Sequence, residues 1–148
     1  MMDYKRLRIR FRTRHYAPDD PENGEWISSD THGIRRIKEE TEIISFPVRF
    51  GEGTDTSAFS YRFTLPSGQN RTLHMEQTGD SSVSVRFEEG KTTRAEYRTM
   101  GYEMTLEMTV RKVHREPGQV SVLYRTTDPS GTSTDHEMEI SYTEEDQA

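Results

Sequence analysis

The residues with the most evident chemical potential stand near the start of the chain. Residues 4–14 read Tyr-Lys-Arg-Leu-Arg-Ile-Arg-Phe-Arg-Thr-Arg, which puts arginine at 6, 8, 10, 12 and 14. Guanidinium groups grip carboxylates and phosphates through paired N–H donors. Arg6, Arg8, Arg10, Arg12 and Arg14 therefore form a candidate face for an anion or an acidic partner. Leu7, Ile9 and Phe11 occupy the positions between them. A strict period of two belongs to a strand, because successive side chains point to opposite sides of a sheet. At helical spacing the same arginines would surround the cylinder and leave no buried stripe. A single-strand nucleic-acid platform also needs aromatic side chains among the charges. Only Tyr4 and Tyr16 share the arginine register, and the pI is near 5.4, so nucleic acid is a minor reading.

Catalytic and metal-binding patterns are sparse. The five histidines, at 15, 32, 74, 114 and 136, never stand two or four residues apart. No two are thus placed by local spacing to share a metal. His74-Met75-Glu76 would set an imidazole and a carboxylate on one strand face, and Asp135-His136-Glu137 gathers three titratable groups. Either fits an acid–base pair, but a chain with 31 % charged residues produces such neighbours by chance. Gly-x-Ser-x-Gly is absent, and Gly51-Glu-Gly53-Thr lacks the third glycine and the helix of a dinucleotide loop. There is no cysteine, which excludes disulfides, zinc ribbons and thiol catalysis. No catalytic residue, metal or cofactor is assigned, and the reading leans away from an enzyme.

The elements that would carry these residues are strands. Phe59, Tyr61, Phe63 and Leu65 alternate with polar residues, as do Tyr102, Met104, Leu106, Met108 and Val110. Val120–Arg125 and Glu137–Thr143 repeat the pattern, and weaker alternation runs through 44–50, 73–77 and 83–87. Eighteen threonines supply β-branched bulk for wet sheet faces. Turn signals separate the runs: Pro66-Ser67-Gly68, Thr78-Gly79-Asp80, Glu89-Gly90-Lys91, Pro117-Gly118 and Asp128-Pro129-Ser130-Gly131. Such spacing favours an antiparallel meander or barrel over a crossover fold. The segment 34–44 is compatible with a short amphipathic helix. A hairpin turning near Glu39–Thr41 is preferred, because Ile44, Phe46, Val48 and Phe50 continue as a strand. Only 30 % of residues are hydrophobic, which a sheet wet on one side tolerates.

Charge is unevenly spread along the chain. A net charge of −6 conceals an arginine-rich first strand and an acidic end from Asp135 onwards that holds no Lys or Arg. In a closed barrel the first and last strands pair, so the arginines would meet Glu137 and Glu139. The balanced outward face is the simpler reading of the arginine row. A docking face and an inward row lining a polar cavity are the other two. One domain, 1–148, is expected, with a flexible acidic tail after about 143. No run of apolar residues is long enough to span a membrane and no apolar leader is visible, so a cytoplasmic location is expected.

One order of motifs is familiar. Phe87-Glu-Glu-Gly90, then Tyr97-Arg-Thr99-Met-Gly101, the alternating strand 103–110, and Gly118-Gln-Val120-Ser-Val122-Leu-Tyr124 follow one another. Across roughly 73–142, and more loosely 7–50, the chain resembles the YwiB-like family. These are small bacterial proteins of unknown function with a calycin (lipocalin-like) β-barrel. The resemblance implies an all-β, single antiparallel barrel of about eight strands, and no activity. If it holds, Tyr61, Phe63, Tyr97, Tyr102, Met104, Leu106 and Tyr124 are candidates to line the interior, where they either pack a core or surround a small apolar ligand. The leading expectation is a lipocalin-like binding barrel; the alternative is an interaction module that docks an acidic partner, or a nucleic-acid backbone, on the arginine strand. A homodimer is a further candidate assembly.

Overall fold

Ten antiparallel strands follow one another around a closed barrel in the computed structural model, which describes residues 3–52, 55–99 and 101–145. They are β1 (Asp3–Tyr16), β2 (Ile27–Lys38), β3 (Thr41–Glu52), β4 (Asp55–Leu65), β5 (Thr72–Gly79), β6 (Ser81–Glu88), β7 (Thr92–Thr99), β8 (Tyr102–Glu116), β9 (Gln119–Thr127) and β10 (Ser133–Glu144). Each strand pairs with its neighbours in sequence, and β1 pairs with β10 to remove both edges. A single 3₁₀ turn, Pro21–Asn23, interrupts the β1–β2 connection.

The count of ten corrects the expectation of about eight, and the two stretches that carry no apolar alternation, the first half of β2 and β7, share a reason. The inward side of β2 opposite Leu7, Ile9 and Phe11 is Gly33, Thr31 and Ser29, so it carries no apolar alternation. In β7 the buried inward residue is Ala95, with Tyr97 half-buried beside it. Strands that contribute small or polar side chains to an interior leave no periodic signal, although their backbones complete the hydrogen-bonded wall.

Alternation sorts the remaining faces. Leu7, Ile9 and Phe11 are buried while Arg6, Arg8 and Arg10 are exposed. In β8 the inward phase changes at a bulge between Val110 and Lys112, after which Val113 rather than Lys112 is buried. Segment 34–44 is a hairpin, as the strand reading required. Its turn is Glu39-Glu40, both with positive φ (51° and 67°), the left-handed pair that a two-residue connection demands. β2 and β3 pair only over Ile34–Lys38 and Thr41–Ser45. Beyond that they separate, and the Thr31 hydroxyl donates to the Pro47 carbonyl at 2.8 Å.

The two barrel ends differ in filling. At the end where β1 begins and β10 finishes, Leu7, Ile44, Leu65, Leu73, Phe87, Val113, Val120 and Ile140 are all buried. The β4–β5 loop is tied across this end, with Arg115 donating to the carbonyls of Pro66 (2.8 Å) and Gln69 (2.7 Å). The opposite end has no such strap among the described residues. β10 is ordered to Glu144, and the Glu145 amide donates to the Arg6 carbonyl at 2.9 Å; the expected acidic tail lies, from residue 146, outside the described residues.

Candidate functional site: an apolar cavity with one polar wall

A cavity of about 560 Å³ occupies the open end of the barrel. Strand parity explains its composition. Phe87 is its floor, and Phe11, Tyr61, Met75, Val85, Met108, Tyr124 and Met138 form its walls. Nearer the mouth stand Thr13, His15, Ile27, Gln77, Val83, Tyr97, Leu106, Thr126, Thr134 and His136. The volume lies within the range of small-molecule sites, which are concave, mainly apolar and supplied with a few polar groups.

The polar groups are concentrated on adjacent strands. Thr13 and His15 come from β1, Thr134 and His136 from β10, and Thr126 from β9. His15 and His136 are direct cross-strand partners, and their Nδ1 atoms lie 2.6 Å apart. One Nδ1–H donates and the other nitrogen accepts. His136 Nε2 lies 2.7 Å from the Thr126 hydroxyl, and the ring stacks on Tyr124 at 4.7 Å between centroids. The chain Thr126–His136–His15 can run in either direction, depending on the tautomer. Burial lowers the pKa of both imidazoles, and that of His136 falls to about 4, with the neighbouring His15 adding to the effect. Both rings are thus neutral at pH 7.

No Lys, Arg, Asp or Glu lines the cavity. Gln77, whose Nε2 donates to the Ser81 hydroxyl at 2.7 Å, and three tyrosines are its other polar groups. Burial pushes the Tyr61 phenol up to about 12, and raises Tyr124 further. Neither these two hydroxyls nor that of Tyr97 has a hydrogen-bond partner among the described residues, while no buried polar atom is left inaccessible and unpaired. Their oxygens are therefore accessible and not enclosed.

The other candidate interior residues divide by depth. Phe63 is fully buried below the cavity, stacked on Phe46. Leu106 lines the mouth, whereas half-buried Met104 is not part of the wall. Tyr102 is a correction: it is 69 % exposed, because it begins β8 beyond the rim where parity no longer implies enclosure.

The arginine row points outward, and much of it is neutralised. Arg10 pairs with Asp30 at 3.0 Å, Arg12 with Glu139 at 2.6 Å, and Arg14 with Glu137. Trp26 lies under the guanidinium groups of Arg12 and Arg14, 4.1 and 5.1 Å from ring centroid to Cζ. Arg6 and Arg8 have no ion pair among the described residues. Of the other titratable clusters, His74 reaches Ser84 at 3.1 Å and Glu76 pairs with Arg62, both on the outside. Asp135 turns away from His136 and is held below the usual carboxylate range by Arg125, at 2.7 Å. No group of three or more metal-ligating side chains occurs among the described residues.

The site pair that residue reading missed is His15 with His136, which are 121 positions apart. A signal existed. Odd parity places His15 on the face of Leu7, Ile9 and Phe11, and pairing of the terminal strands would oppose it to a residue of β10.

Closed wall, plugged end and open apolar end together define a calycin-like β-barrel with an internal cavity. The chain belongs to the family described as Domain of unknown function (DUF1934), whose model matches residues 9–140. Its fold is similar to that in the crystal structure of the ywiB protein from Bacillus subtilis, with a TM-score of 0.73 at 17 % identity, covering 98 % of this chain and 96 % of that one. No curated protein matches the sequence.

Proposed function

We propose that this barrel binds a small, mainly apolar molecule in its interior. The observation that carries the reading is the cavity itself: about 560 Å³, bounded by a packed floor and open at one end. Empty apolar volume costs the protein dispersion contacts and cavity free energy. A ligand that fills it restores those contacts and removes its own apolar surface from water. The His15–His136 pair, with the Thr126 hydroxyl 2.7 Å from His136 Nε2, forms the polar side of this wall in the proposed reading.

The arginine face is the weaker candidate, because Arg10, Arg12 and Arg14 are already engaged by carboxylates of flanking strands. A cytoplasmic location belongs to the same reading. No helix among the described residues is long and apolar enough to cross a membrane. The exposed arginines of β1 would also not tolerate a hydrocarbon layer.

Fluorescence titration with the neutral probe N-phenyl-1-naphthylamine tests the reading. Saturable binding with one probe per chain is expected, together with its loss when Ala95→Phe narrows the cavity. Absence of saturable binding to folded wild-type protein overturns it.

A further inference from the structure

The cavity wall carries more than shape. Tyr61, Tyr97 and Tyr124 stand on β4, β7 and β9, so their rings approach the volume from three separated strands. Their rings are fixed by packing: Tyr61 lies 4.8 Å from Phe11 and Tyr124 4.9 Å from Phe87. None of the three hydroxyls is hydrogen-bonded to a described residue. None of the three oxygens is shut off from solvent, so each hydroxyl is free to donate to an acceptor placed beside it. The His15–His136–Thr126 chain adds further hydrogen-bonding capacity at the mouth.

Charge sets a second limit. The lining offers no cation to an anionic ligand and no carboxylate to a cationic one. Asp135, whose charge acts on His136, is paired with Arg125 at 2.7 Å. An ion entering this space would lose hydration without an opposite charge to replace it, at a cost that far exceeds any gain from neutral hydrogen bonds.

Resting on the reading of an interior binding site, we infer that its ligand class is an uncharged molecule with an apolar body and at least one carbonyl-type acceptor, held by the tyrosine hydroxyls. Acceptors are specified because a phenol O–H donates well to a carbonyl oxygen, and burial raises the pKa of Tyr61 and Tyr124. The apolar body follows from Phe11, Met75, Val85, Phe87 and Met108, which supply the remaining wall.

Three fluorescent probes separate this inference from the reading beneath it. N-phenyl-1-naphthylamine is neutral and lacks a carbonyl. Prodan (6-propionyl-2-dimethylaminonaphthalene) is neutral, has a similar size and carries a ketone. 1-Anilinonaphthalene-8-sulfonate has the same ring system as the first and a fixed negative charge. At pH 7.5, prodan is expected to bind roughly tenfold more tightly than N-phenyl-1-naphthylamine, the effect of one or two net hydrogen bonds. The sulfonate should bind at least tenfold more weakly than prodan. Combined Tyr61→Phe, Tyr97→Phe and Tyr124→Phe removes hydroxyls while keeping rings. It should cost prodan roughly tenfold more than it costs N-phenyl-1-naphthylamine.

Equal binding of the two neutral probes overturns the inference while the binding reading stands. So does sulfonate binding as tight as prodan, or a triple variant that holds prodan as well as wild type. If no probe binds the folded wild-type protein, the underlying reading fails and the inference falls with it. Should the triple variant not fold, Tyr97→Phe alone, at a half-buried position, is read by the same criteria against both neutral probes.

Discussion

The two ends of this barrel are built from the same ten strands and solve opposite problems. At one end, large side chains from eight strands meet and fill the interior, and Arg115 straps the β4–β5 loop across it. At the other, the same inward parity delivers Thr13, His15, Ala95, Thr126 and Thr134, and volume remains. Charge is distributed just as unequally. Inward-facing Arg35 at the closed end meets Glu42 at 2.9 Å and Glu144 at 3.4 Å, and Glu42 also accepts the Tyr142 hydroxyl at 2.8 Å. The cavity end has only neutral polar groups.

The largest expected difference concerns packing. Leu65→Ala or Leu73→Ala, at fully enclosed positions of the closed end, should cost about 2–5 kcal/mol in urea denaturation. Leu106→Ala, at the cavity mouth, should cost less than about 1 kcal/mol, because the side chain already borders open space. Similar losses at both ends would break the contrast.

A pH titration of stability sharpens it. His136 falls to about 4 when folded from an ordinary value of 6.5, so between these values the unfolded chain binds the extra proton. Stability should therefore fall on acidification from pH 6.5 towards 4, by on the order of 3 kcal/mol. His136→Phe, which can keep a ring on Tyr124, should flatten that window. The contribution of Asp135, whose carboxyl is depressed by Arg125, is present above its ordinary value of 3.8 and is lost only below it. The two effects thus occupy separate pH ranges. An unchanged slope in the His136 variant would show that the cavity end is not the acid-sensitive one.

Glu42→Gln acts at the opposite end. Its amide oxygen can still accept from Tyr142, but the ion pair with Arg35 is lost. A loss of about 1 kcal/mol is expected, with no change in probe binding. A change in probe affinity would mean that the two ends are coupled.

The smallest effect lies in the β2–β3 turn. Glu40→Gly, at φ 67°, should raise stability by roughly 0.5–1 kcal/mol in thermal unfolding, since glycine enters the left-handed region without a Cβ penalty. A loss instead would show that the Glu40 side chain makes a favourable contact at the closed end.

Legibility in the sequence followed the strength of each local signal. The strand of Leu7, Ile9 and Phe11 could be read because its two faces differ sharply in polarity. The first half of β2 could not: Ser29, Thr31 and Gly33 face inward there, and Gly33 is required by close approach. A Cβ on it would stand 2.6 Å from Ile9 Cδ1 and 2.9 Å from Phe46 Cβ, and would collide with the Ser45 carbonyl. Glycine at a crowded crossing and glycine at a turn look alike in one sequence. Tyr102 was misplaced for a different reason: alternation specifies a face, but not how far along the barrel axis a residue stands.

By itself the sequence determined which side of each well-patterned strand is apolar, that the chain is all-β, and that its basic first strand and acidic last strand suit each other. These are consequences of period-two geometry and of charge, both local properties. Only the tertiary structure decided that ten strands close the barrel, that large side chains pack one end beneath a polar pocket of about 420 Å³ while the other encloses an apolar volume of about 560 Å³, and that His15 touches His136. Those outcomes depend on strand stagger and on side-chain volumes meeting across the interior, where residues far apart in the chain compete for the same space.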